Sequence, residues 1–239
     1  MCTVTIVPRA DGVRIVCNRD ERRSRAGALP PASRRTPSGS AMYPVDPSSG
    51  GTWIGVNDSG LAAVLLNRTA PRAPFRREAA LSRGVIVPAL LACGSMDAAV
   101  EAVSGFDCRQ FEPFTVVLSN RKRGVSFTSG STRCTCDCFD VSAPQLFTSS
   151  SLGDQIVEPP RRLLFERLIM GAADRLAGQF CFHRHLWSGA RHVSVWMERD
   201  DAATVSRTTI DLDESGARME YESPPSTCRA RLSASPWRL

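Results

Sequence analysis

Residues 1–21 read "MCTVTIVPRADGVRIVCNRDE", and the rest of the chain is best understood outward from them. Two apolar, β-branched runs, 2–8 and 13–17, flank "ADG", a turn signal, and so predict a hairpin. If the turn centres on Asp11, paired residues sum to about 22, which sets Ile6 against Val16, Val4 against Asn18 and Cys2 against Asp20. A shift of one residue sets Cys2 against Arg19 instead. Both registers carry the polar cluster Asn18, Arg19 and Asp20 to the start of the chain.

That juxtaposition has a chemical use. Removal of Met1 is sterically open because the next side chain is small, and Cys2 would then carry a thiol and a free α-amine. An α-amine has an unperturbed pKa of about 8 and can act as base for its own side chain. A neighbouring arginine favours the thiolate, a carboxylate orients the amine, and amide or backbone donors hold an oxyanion. These are the parts an amidase with an N-terminal nucleophile needs. The alternative is an ordinary strand cysteine beside a charged turn.

Composition sets outer limits. The 239 residues, 42% hydrophobic, can fill a sizeable core. No apolar run approaches the roughly 18 residues of a membrane span, and the first residues are too soon interrupted for a secretory signal, so a cytoplasmic address is expected. Nine cysteines in no disulfide-like spacing fit a reducing compartment. The net charge of +6 comes almost wholly from arginine, Lys122 being the sole lysine. The run Arg19, Arg22, Arg23, Arg25, Arg34 and Arg35 can attract an anionic ligand, but no nucleic-acid partner is expected from it.

Along the chain, 26–51 is rich in Pro, Ser, Gly and Arg and reads as a long loop. "TWIGV" and "LAAVLLN" around "NDSG" form a second hairpin. Residues 76–103 have helical composition broken near Gly84, Pro88 and "CGS". Strands return at "FTVVLS", "GVSFTS" and "QLFTSS". Pro159 and Pro160 start a helix to about Ala177. "VSVWME", "ATVSRTTIDLD" and "ARMEYES" alternate as strands. Strands flanking central helices predict an α+β sandwich of mostly antiparallel sheets, with no linker dividing residues 1–239 into more than one domain.

"MC", "CNRDE", "GGTWIGVNDSGLAAVLLNR" and "SRG" at 82–84 resemble the NRDE family, also called the transport and Golgi organisation 2 family. "SSSLGD" and "TVSRTTIDLD" resemble its C-terminal half. The resemblance implies a four-layer αββα sandwich similar to the N-terminal nucleophile hydrolases, and a cysteine amidase acting on a linear, non-peptide amide without a cofactor. It places the nucleophile at Cys2, its partners at Arg19 and Asp20, and an oxyanion donor at Asn67. Where the family reads "LSNS", this chain reads "TSSSLGD", so Ser150 stands in the second oxyanion position. Arg207 of "VSRT" is the candidate for a late, site-closing arginine. Asn18 and Trp53 are candidates for substrate contact. Family members linked to haem trafficking imply a second class of function, a haem carrier without the chemistry.

The remaining clusters are weaker. His183, His185 and His192 in "FHRHLWSGARH" read as an exposed polar loop. "CTCDC" puts Cys134, Cys136 and Cys138 on one face of a strand, yet lacks the second ligand pair of a zinc site, so no metal is expected.

Overall fold

The computed structural model describes residues 2–69, 81–129, 134–224 and 226–233. The first hairpin forms as expected, from β1 (Cys2–Arg9) and β2 (Gly12–Arg22). Its register pairs Cys2 with Arg19, Thr3 with Asn18 and Ile6 with Ile15, which settles the two open alternatives in favour of the shifted one. A two-residue turn at Ala10 and Asp11, rather than a turn centred on Asp11, accounts for the shift.

Two strands follow where a loop was expected: β3 (Leu29–Thr36) and β4 (Gly39–Val45). Strand β3 lies at a sheet edge and is mostly exposed, so it carries arginines and Pro30–Pro31 in place of hydrophobic alternation. The second hairpin is β5 (Ile54–Asn57) and β6 (Ala62–Asn67). Of the expected 76–103 helical stretch, 76–80 lies outside the described residues. The rest forms a 3₁₀ turn at Arg83–Val85, then α1 (Ile86–Leu91) and α2 (Met96–Ser104), whose start is capped by Ser95. Strands β7 (Phe114–Ser119), β8 (Gly124–Ser129), β9 (Cys134–Phe139) and β10 (Gln145–Thr148) precede α3 (Asp154–Phe165).

Helix α3 begins ahead of both prolines. Gly153, at φ +108°, and Asp154 start it. It runs into a π-helical turn at Glu166–Met170, and Asp174 caps a separate α4 (Arg175–His183). "VSVWME" forms no strand: Val193 ends a 3₁₀ turn begun at Arg191, and Glu198 makes a single bridge. The chain closes with β11 (Ala202–Asp213), β12 (Gly216–Ser223) and β13 (Ser226–Ser233), the last not anticipated.

These strands make two antiparallel sheets, ordered β10-β1-β2-β11-β12-β13 and β3-β4-β5-β6-β7-β8-β9. Alternation along β1 sends Cys2, Val4 and Ile6 into the core between the sheets, where they meet Trp53, Val64 and Leu66. Val7 on the opposite face meets Leu164, Phe165 and Phe182 of the α3–α4 layer. The outer face of the second sheet packs on α1 and α2 through Ala63, Leu65, Leu90 and Val103. The result is the expected four layers, αββα. No helix among the described residues is long and apolar enough to cross a membrane, which says nothing of a β-barrel.

Candidate active site

Because β1 begins at Cys2, its thiol sits where the two sheets part, 2% exposed. It lies on the floor of a cavity of about 310 Å³ whose walls include Arg19, Asn67, Trp53, Asp46 and Arg83. Strand pairing explains the company. Arg19 is directly across from Cys2 and shares its face, whereas Asn67 ends β6 on the facing sheet. The guanidinium of Arg19 stacks 4.2 Å from the Trp53 ring centre and donates to Asp46 at 2.6 Å and Glu21 at 3.2 Å. The Trp53 indole N–H is buried and unpartnered among the described residues.

Cys17 is two residues from Arg19 on that face. Its single S–H proton has two acceptors: the Asn18 carbonyl at 3.7 Å and the Cys2 sulfur. The hydrogen bond from Cys17 holds the Cys2 thiol below its ordinary pKa against the opposing effect of burial. Cys17 itself is pushed well up, first by burial, so Cys2 is the member of the pair that ionises.

Asp20 faces the other way. Its carboxylate is 2% exposed and accepts from Thr204 Oγ1 at 2.6 Å, which is reached through a bulge in β11 between Thr204 and Ser206. Burial raises the Asp20 pKa, opposed chiefly by the charge of Arg161. Arg161 is 1% exposed, donates to Thr3 and Thr148 hydroxyls at 2.8 and 2.7 Å, and is fixed by the Ser194 carbonyl at 2.7 Å.

Strand parity and register place Asn18 and Arg207 away from the cavity, and a turn engages Ser150. Asn18 lines the helix-facing side, not the cavity; it is fully buried and gives its amide hydrogens to the His183 and Val195 carbonyls. Arg207 pairs with Asn18 on that same outer face, is ion-paired with Glu222, and borders a different cavity with Phe180 and Arg14. Ser150 is tied into the α3 start, donating its N–H to Asp154 at 2.9 Å and accepting from Leu152 N–H at 3.2 Å. Its neighbour Ser149, which the sequence reading passed over, accepts the Cys2 N–H at 3.2 Å and donates its own N–H to the Cys2 carbonyl at 3.0 Å.

The histidines are also rearranged. His183 is not in an exposed loop but fully enclosed at the end of α4, bonded to Thr5 at 2.7 Å and Asn18 at 3.0 Å. Burial holds its pKa well below the ordinary value, so it is neutral. Cys134, Cys136 and Cys138 are exposed on edge strand β9, with Cys134 Sγ 2.8 Å from Cys108 Sγ. Among the described residues no group of three or more His, Cys, Asp or Glu side chains is arranged to hold a metal ion.

The "GGTW" and "SRG" blocks meet directly. Thr52 N–H bonds the Gly84 carbonyl at 3.0 Å, and a Cβ on Gly51 would come within 2.6 Å of the Gly84 backbone. Gly50 takes φ +69°, a conformation open to glycine. This backbone-on-backbone joint sets Arg83 at the cavity wall.

An αββα sandwich opening on the first residues of a central strand defines the fold class of the N-terminal nucleophile hydrolases. Solved structures agree. Penicillin V acylase from Agrobacterium tumefaciens superposes with a TM-score of 0.59 at 14% identity, covering 98% of this chain and 86% of that one. The Caenorhabditis elegans orthologue of N-acylethanolamine-hydrolyzing acid amidase gives 0.63 at 13%, covering 87% and 92%. A conjugated bile acid hydrolase variant from Clostridium perfringens gives 0.56 at 9%, covering 98% and 92%. The chain belongs to the Transport and Golgi organisation 2 family, whose model matches residues 1–154. No curated protein matches it.

Proposed function

We propose that residues 1–239 act as one domain and hydrolyse a linear, non-peptide amide, with Cys2 as nucleophile once Met1 has been removed. The observation that carries this reading is the Cys2 thiol, lowered in pKa and set on the cavity floor with Asn67 on the facing wall. The thiolate attacks the amide carbonyl, and the Asn67 amide donates to the oxyanion. The α-amine of Cys2 moves the proton to the leaving amine, water cleaves the thioester, and the acid departs. Asp20 and Ser149 hold the amine from two sides; the Arg19 guanidinium, across the strand pair from Cys2, favours the thiolate. The resident chemistry requires no cofactor.

The test is turnover of acyl amides by protein of verified N-terminal mass. Cys2→Ala abolishes release of amine while the thermal melt stays within a few degrees of the parent. Turnover by Cys2→Ala at the parent rate would remove Cys2 from the mechanism. The haem-carrier alternative gains nothing from His183, which could ligate iron only by giving up its bonds to Thr5 and Asn18.

A further inference from the structure

Three arginines line the Cys2 cavity, and their charges are met differently. Arg19 bonds Asp46 and Glu21, and Arg25 bonds the same Asp46 at 2.7 Å with Glu21 at 3.8 Å. Those two cations and two carboxylates neutralise one another. Arg83 stands apart. Among the described residues it donates to the Pro113 carbonyl at 2.8 Å and makes no ion pair. Glu112 supports the charge from beyond ion-pair distance, so the half-buried guanidinium keeps donors open to an anion arriving from outside.

The group is also held in place. Ser82 caps the 3₁₀ turn that begins at Arg83, and Gly84 is locked against Gly51. Arg83 lines the same cavity as Cys2. That space is small and largely polar. At about 310 Å³, against roughly 30 Å³ for each water in the liquid, it holds about ten water-sized groups. Its walls carry Glu21, Asp46, Thr52 and Glu112 besides the arginines.

Resting on the amidase reading, we propose that Arg83 is the anion-recognition residue of the cavity and that the substrate is a short amide bearing a carboxylate, of the class of dicarboxylic acid monoamides. The carboxylate takes the bidentate donors of Arg83 while the amide carbonyl lies over Cys2 and Asn67.

The experiment measures binding without turnover, using Cys2→Ala protein titrated with succinamate and with its neutral counterpart succinamide. Succinamate binds at least tenfold more tightly, as expected for a charge-assisted pair. Adding Arg83→Gln removes the preference, and Arg83→Lys, which keeps the charge, retains part of it. A melt of each variant confirms that it is folded. Equal binding of the two compounds by the Cys2→Ala protein, or a preference that survives Arg83→Gln, overturns the proposal. The amidase reading fails separately: preserved discrimination with no amide turnover by the parent protein would defeat that reading and leave anion recognition standing.

Discussion

Ser149 and Ser150 are adjacent, yet their side chains do unrelated things, and the difference sets the first expectation. Ser149 Oγ accepts from the Cys2 nitrogen, the atom proposed to carry the proton, whereas Ser150 is spent on the start of α3. Ser149→Ala lowers kcat by about 10- to 100-fold, the worth of one hydrogen bond to a charged group, and leaves KM nearly unchanged. Ser150→Ala leaves kcat within about twofold and lowers the melting temperature, since a turn bond is lost. Equal kinetic effects from the two substitutions would show that Ser149 has no special hold on the amine. Cys2, Arg19 and Asp20 could be brought together from the sequence because a hairpin converts spacing into proximity, whereas Asn67 came only from the family resemblance. Ser149 could not, because "TSSS" offers three equivalent serine hydroxyls and only the pairing of β10 with β1 tells them apart. Asn18 and Arg207 were misplaced for the complementary reason. Adjacent strand residues face opposite sides, so a motif read as one cluster is split between cavity and helix layer.

Between elements, the joint of "GGTW" with "SRG" is the most sensitive contact of the cavity. Gly51→Ala drives a methyl group to within 2.6 Å of the Gly84 backbone, which cannot rotate away as a side chain would. The expected cost is about 1–3 kcal/mol, read as a lower urea midpoint with unchanged slope. Gly27→Ala, where an added Cβ meets nothing within 4 Å, serves as control and is near neutral. A Gly51→Ala midpoint equal to that control would mean the 3₁₀ turn shifts freely. Elements with strong alternation were legible: β1, β2, β5, β6, β7 and β8 all carry buried apolar faces. Two of the four edge strands were not. Strands β3 and β13 are largely exposed, so their residues keep no hydrophobic period, and their existence depends on a neighbour's unpaired backbone groups. Helix α3 was misplaced because its two prolines suggested a beginning where Gly153 and Asp154 provide one earlier.

Across the whole molecule, acid stability should depend on Asp46, which anchors Arg19 and Arg25 at the mouth between the sheets. Burial alone would raise its pKa, but hydrogen bonds from Arg25 and Ser48 N–H, with the charge of Arg19, hold it below the ordinary 3.8. A depressed carboxylate pKa contributes stability that is present above 3.8 and fades as pH falls through the folded value. Asp46→Asn is therefore less stable than the parent at neutral pH, and the gap between their melting temperatures narrows as the pH drops below 4. A gap constant with pH would mean that the anion is not what Asp46 contributes. The αββα layering was legible from strand and helix order together with the family resemblance, whereas the pairing of β2 with β11 across the length of the chain had no local sign. That long reach also imposes a timetable. Cys2 and Ser149 are separated by 147 residues, so a ribosome adding about 5–20 residues per second leaves the start of β1 without its clasp for roughly 7–30 s. An aminopeptidase can reach Met1 during that interval. The Ser149 hydroxyl takes up the Cys2 nitrogen only after that interval has passed.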